Sequence, residues 1–214
     1  MRSFVLFVVG VTPFLAMPVV AAPVPSAQRY VACVAQKRPA AVRELLQAPD
    51  RATAERPYRV LSDDERCFAV VFGGQSYNPQ DVVFPIDVLR GRLAEQSLLA
   101  AAAPAAALSP LPLEQKRYLR PWFAATGRDP SVDEMGACIA DVDPKTVLYL
   151  VSTAPSSFEE NQAVAALQPS LGKCLSAGTR LQAGRPALRA ALADALYQRM
   201  TNPALSAPAP GTPK

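Results

Sequence analysis

One motif set occurs twice in this chain, and each copy holds two cysteines. Ala32-Cys33-Val34-Ala35 and Ala137-Cys138-Ile139-Ala140 match, and three residues separate each from a proline, Pro39 or Pro144. Further along, Leu89-Arg90-Gly91-Arg92-Leu93-Ala94-Glu95 matches Leu188-Arg189-Ala190-Ala191-Leu192-Ala193-Asp194, and between the blocks stand Cys67 and Cys174. A duplicated unit with paired cysteines constrains architecture and compartment far more than chemistry. Four cysteines allow three pairings, and the duplication selects Cys33 with Cys67 and Cys138 with Cys174, since each then closes a loop of similar length. Loops of that size stabilise a small unit by roughly 3–4 kcal/mol through the unfolded chain. Structural zinc needs short C-x2-4-C pairs, and the spacing here has none.

The first residues fit a cleaved export signal over 1–22. Arg2 precedes an apolar run from Phe4 to Val11, and small residues follow at Ala21 and Ala22. Pro13 and Pro18 oppose a membrane-spanning helix, because an interior proline removes a hydrogen bond and kinks the helix. The sequence therefore predicts a periplasmic or secreted protein with no transmembrane segment in the mature chain, and disulfides are the ordinary use of an even cysteine count there. A first repeat spans 27–101. An Ala/Pro-rich linker with a basic–aromatic segment spans 102–128, and a second repeat 129–200. A Pro/Ala/Ser-rich tail spans 201–214 and lacks the apolar bulk to offset the entropy of ordering.

Each repeat reads as helices, giving an all-α fold of about eight, two tandem disulfide-stapled repeats packed about a pseudo-twofold. The first helix of each carries the first cysteine, Gln28 to Gln36 and Val132 to Asp141. Pro39 and Pro144 open the second, with Asp143 as N-cap in the latter. Ser156-Ser157 before Glu159-Glu160 offers a capping box for a third. The Leu-Arg-x-x-Leu-Ala-acid motif marks an amphipathic last helix, and neither copy can hide its apolar face alone, so the copies are expected to dock through these last helices. Repeat 1 carries about eight extra residues after its second cysteine. Phe68 to Phe72 there fits a short strand or a buried apolar segment, and Gly73-Gly74 and Asn78-Pro79 mark turns.

The chain contains no histidine, which excludes a Ser-His-Asp triad, a Cys-His pair and every histidine-ligated metal. A net charge of +4 with scattered basic residues suits anionic lipid, cell-wall polymer or acidic protein. Nucleic acid is not expected, since no basic stripe interleaved with aromatics is present, and no cofactor is implied. Arg90 matches Arg189, and Glu95 matches Asp194. Residues five apart on a helix lie about 140° apart, so each arginine is expected to bind loop backbone or another helix of its own copy. Asp63, Asp64 and Glu65 are consecutive and read as a solvated turn or helix start.

Two readings of function follow. The first is a non-catalytic exported binding or structural module for a protein, glycan or anionic lipid of the cell envelope. Its binding patch is expected in the unmatched parts of the chain, at Tyr77, Arg117, Arg120 and Trp122, where arginine and aromatics suit an interaction surface; the alternative use of Trp122 and Phe123 is to fill the seam between repeats. The second is a histidine-free hydrolase of cell-wall glycan, for which Glu95 and Asp194 are the symmetric carboxylates. The pattern Ala-Cys-Val/Ile-Ala, a second cysteine, then Leu-Arg-x-x-Leu-Ala-acid, from Tyr30 to Tyr197, resembles uncharacterised exported two-repeat cysteine-containing proteins of alphaproteobacteria. That resemblance implies no activity and assigns no functional residue.

Overall fold

The computed structural model describes residues 26–72, 84–113, 118–175 and 183–203. Residues 1–22, expected to be an export signal, most of the insertion after Cys67 and nearly all of the tail lie outside them. The described residues form twelve helices and no strand. Five come before the linker: α1 (Ser26–Lys37), α2 (Pro39–Gln47), α3 (Arg51–Ser62), α4 (Glu65–Phe72) and α5 (Ile86–Ala100). The linker itself holds α6 (Ala102–Ala106) and α7 (Phe123–Thr126). Five more follow: α8 (Pro130–Val142), α9 (Pro144–Ser152), α10 (Phe158–Ala166), α11 (Gln168–Cys174) and α12 (Arg185–Thr201).

The count exceeds the expected eight because each second cysteine sits on a short helix of its own, α4 or α11, and because the linker is itself partly helical. The apolar run from Phe68 belongs to α4 and is not a strand. Local chemistry sets the helix starts as expected. Pro39 and Pro144 occupy the first turns of α2 and α9, and the Asp143 carboxylate accepts from the Thr146 amide. Ser157 Oγ accepts from the Glu160 amide while Glu160 Oε2 accepts from the Ser156 amide, so donor groups at the start of α10 are satisfied from both directions. Asp64 corrects the reading of Asp63-Asp64-Glu65 as solvated: its side chain is 1% exposed, accepts from the Cys67 amide at 3.1 Å and pairs with Arg38 at 2.7 Å. The middle acid of the three is the one positioned to cap α4, and capping draws it inward.

Both disulfides have the expected pairing. Cys33 on α1 bonds Cys67 on α4, and Cys138 on α8 bonds Cys174 on α11, with Cα–Cα separations of 5.6 Å in each. Each thus ties the first helix of its five to the fourth. A full-length Cys138→Ser/Cys174→Ser double variant is expected to lose about 2–4 kcal/mol, the usual worth of a loop this long. Urea unfolding under non-reducing conditions measures it, and a midpoint equal to that of the parent chain would show that the bridge adds nothing.

One apolar core runs through both sets of helices, from Tyr30, Leu45 and Leu61 through Leu89, Leu93 and Leu98 to Ile139, Leu150, Leu192 and Leu196. Its axis is the pair α5 and α12, the most extensively packed helices of the molecule, and α8 and α9 pack against α12. Docking through the last helices is therefore what the described residues display. α5 and α12 are in close contact at Gly91, where an added Cβ would lie 2.3 Å from the Ala190 Cβ and 2.4 Å from its backbone.

Candidate functional site

The charged residues of the matched motifs meet on the α5–α12 seam. Arg90 on α5 donates from Nε to Asp194 Oδ2 on α12 at 2.8 Å. Arg189 on α12 grips Glu95 on α5 with two bonds, Nε to Oε2 at 2.9 Å and Nη2 to Oε1 at 2.7 Å. Arginine and acid of one motif do not pair along their helix, as expected, but the expectation that each arginine finds its partner within its own copy is corrected for the acids: the close packing of α5 on α12 brings each arginine against the acid of the opposite helix. The remaining guanidinium hydrogens stay within the arginine's own set of helices. Arg90 donates to the Leu45 and Leu46 carbonyls at the end of α2, and Arg189 to the Val151 and Thr153 carbonyls at the end of α9. These carbonyls lie at helix C-termini, where the i+4 amide partners run out and a cation meets the negative end of the helix dipole; Leu45 also accepts from the Ala48 amide. Glu160 of α10 joins Arg189 at 3.0 Å, and Arg92 reaches Glu95 at 3.3 Å.

A second buried cluster lies at the turn into α8. Arg128 Nη1 is shared by two carboxylates, Asp133 Oδ1 at 3.1 Å and Asp194 Oδ2 at 3.0 Å, while Nη2 donates to the Asp87 carbonyl at 2.7 Å. Thr126 Oγ1 bonds the other Asp133 oxygen and accepts from the Arg128 amide. Burial pushes the Asp133 carboxyl up to about 6; the Arg128 charge and the Thr126 bond oppose this, and the Asp194 charge adds to it. Burial would likewise raise Asp194, but the charges of Arg90 and Arg128 outweigh it and hold that carboxyl below its ordinary range. A third cluster joins Arg120, Asp141 and Arg199, with Arg199 also donating to the Ala140, Asp141 and Ser109 carbonyls. This last set straps the linker to α8 and α12.

Of the four residues expected to form a binding patch, Tyr77 and Arg117 lie outside the described residues. Arg120 and Trp122 are buried, which corrects their placement on a surface. Arg120 is held by Asp141 at 3.1 Å and stacks over the Tyr118 ring at 5.2 Å. Trp122 is 4% exposed and packs edge-on against Phe123 at 4.6 Å between ring centres. Its burial makes this segment part of the core, where α7 packs against α3 and α5 of the first set. Glu95 and Asp194 are buried in ion pairs.

The open features lie elsewhere. Three adjoining hollows run along α2, α3 and the start of α4, with volumes of about 470, 360 and 600 Å³. The first two share Glu44, Arg56 and Pro57, and the last two share Arg38 and Val60. Among the described residues, the exposed Lys37, Arg56 and Arg66 that line these hollows, and the exposed Arg43 of α2, make no ion pair. Residues 26–72 carry eight basic residues, whereas 129–175 carry only Lys145 and Lys173. No motif marks this face; its signal in the sequence is the uneven split of basic residues between 26–72 and 129–175. A separate hollow of about 480 Å³ lies beside Asp87, Arg128 and Ser131. Among the described residues no group of three or more Cys, Asp or Glu is arranged to hold a metal ion, and no helix is long and apolar enough to cross a membrane. Comparison with known proteins finds no matching family model, no matching curated protein and no matching solved structure.

Proposed function

We propose that this protein is a non-catalytic exported helical module, built from two copies of one disulfide-stapled five-helix unit related by a pseudo-twofold. It holds an anionic partner of the cell envelope on the outer face of its first unit. The observation that carries the non-catalytic reading is the use made of Glu95 and Asp194. Glycan hydrolysis needs one carboxyl that keeps its proton near neutral pH and a second facing it across a cleft. Each of these two is instead clamped by an arginine of the opposite helix, and neither is among the residues lining the hollows. Asp133 and Asp194 do form a raised and a lowered carboxyl side by side. Their side chains are 1% and 0% exposed, which leaves no approach for a sugar chain. Two disulfides and the absence of a spanning helix among the described residues fit an exported chain.

The binding half of the reading rests on the unpaired cations along α2, α3 and α4. Glu44, Asp63 and Glu65 line the same hollows, yet residues 26–72 hold eight basic and six acidic residues, a net charge of +2, and a net positive charge favours an anionic partner with strong salt dependence. Vesicles containing anionic phospholipid are expected to pull the full-length protein down at low salt, and neutral vesicles are not. An Arg56→Glu/Arg66→Glu variant is expected to lose most of that association while melting at the parent temperature. Failure to bind both anionic vesicles and purified cell-wall polymer would overturn the binding half. Release of reducing sugar from cell-wall glycan would overturn the non-catalytic half.

A further inference from the structure

The three hollows along α2, α3 and the start of α4 form one trough, since each shares lining residues with the next. From Ala52 to Asp63 on the α3 side it runs about 17 Å at the helical rise per residue. Small side chains line much of it, among them Ala40, Ala41, Ala48 and Ala52. Arg38 stands where the second and third hollows meet. Its Nε donates to Asp64 Oδ2 at 2.7 Å, and Asp64 is itself held by accepting from the Cys67 amide. The guanidinium is thereby aimed, while its two Nη groups bond nothing among the described residues. A cation that is already ordered loses less entropy when a ligand arrives. Arg56 lies to one side of it along the trough and Arg66 to the other. Carboxylates share the lining, Glu44 between the first two hollows and Glu65 in the third. Both are exposed, and among the described residues neither makes an ion pair or a side-chain hydrogen bond.

Resting on the anionic-partner reading above, we propose that the trough takes a linear acidic glycan, whose anionic groups meet Arg56, Arg38 and Arg66 and whose hydroxyls donate to Glu44 and Glu65. The mixed lining selects this class. A flat anionic surface would meet the cations and the carboxylates together, and like charges set against each other across an interface are costly. A narrow chain can follow the arginines. Beside it the carboxylates act as acceptors and need donors, since an ionised carboxyl has no hydrogen to give. Sugar hydroxyls supply such donors; a chain of phosphates does not. An extended peptide would need main-chain partners, and the backbone groups of α2 and α3 bond within their own helices. The guanidinium fork suits carboxylate and phosphate groups alike.

At equal salt the full-length protein is expected to bind polygalacturonate, a linear acidic glycan, about tenfold more tightly per anionic group than inorganic polyphosphate or vesicles of anionic phospholipid, the gain that one or two hydrogen bonds to charged acceptors give. Glu44→Lys separates the two kinds of contact. It adds positive charge to the trough, so polyphosphate and vesicles are expected to bind more tightly. It also removes an acceptor, so polygalacturonate is expected to bind about fivefold more weakly. The substitution is at an exposed position, and an unchanged melting temperature is expected; if the variant does not fold, the ranking of the three ligands on the parent protein decides alone. Polyphosphate or vesicles bound as tightly as polygalacturonate overturn the glycan assignment and leave the anionic-partner reading standing. So does a folded Glu44→Lys variant that binds all three more tightly. Binding to none of the three overturns both.

Discussion

Arg189→Met is expected to cost about 5 kcal/mol or more, beyond the loss of either disulfide. Arg189 makes six hydrogen bonds, to Glu95 twice, Glu160, the Thr153 hydroxyl and the Val151 and Thr153 carbonyls. Removing it leaves two carboxylates buried, with Arg92 at 3.3 Å from Glu95 as the remaining cation paired with either among the described residues. Taking one partner from a buried ion pair typically costs about 3–5 kcal/mol, because the abandoned charge stays desolvated, and here two are abandoned. Arg189→Lys should recover only part, since an ammonium has three donors and cannot form the two-point grip on Glu95. A triple variant with Arg189, Glu95 and Glu160 all changed to methionine removes every charge together and is expected to be far more stable than the single one. Arg90→Met provides the contrast. Asp194 would keep Arg128, so the loss should be smaller than at Arg189. Urea midpoints of the four chains test the ranking. Equal midpoints for Arg189→Met and Arg90→Met would mean that the clamps are not what distinguishes the two positions.

Features that depend on neighbouring residues in the chain were legible in the sequence. Pro39 and Pro144 open helices, Asp143 and Ser157 cap them, and the duplication fixed the disulfide pairing. What was not legible depends on where helices cross. The motif showed that Arg189 and Asp194 point in different directions from α12. It did not show that each acid is answered by the arginine of the opposite helix while each arginine also reaches carbonyls at the end of α2 or α9. Residue type misled at Arg120 and Trp122 for the same reason. A basic–aromatic run resembles an interface until Asp141, 21 residues away, is brought against the guanidinium. Three consecutive acids suggest a solvated turn at Asp64, although an acid one residue before a helix has the capping position available. Gly91 opposite Ala190 in the matched motif was the overlooked clue to the crossing. Two small residues at equivalent positions mark where two helices can come closest.

That crossing supplies the other large effect. Gly91→Ala is expected to destabilise the protein by about 3 kcal/mol, and Gly91→Leu to prevent accumulation of the folded chain. Helix propensity alone predicts the opposite sign, since alanine is favoured over glycine inside a helix by about 1 kcal/mol. The steric term outweighs it. An added Cβ would sit 2.3 Å from the Ala190 Cβ and 2.4 Å from its Cα and carbonyl oxygen. Two of those three atoms are backbone and cannot rotate away, so α5 and α12 must separate. Separation stretches Arg90–Asp194 and Arg189–Glu95 together, because both pairs span the same seam; overpacking a well-filled core costs about 1–3 kcal/mol even without such coupling. Gly172 on α11 is the control. Nothing lies within 4 Å of a Cβ added there, so Gly172→Ala should stabilise by about 0.5–1 kcal/mol through propensity alone. Opposite shifts in the unfolding midpoints of the two alanine variants are the expected result. A stabilising shift from Gly91→Ala would mean that α5 and α12 are not in close contact at this point, and that the reciprocal pairs do not lock the two halves together.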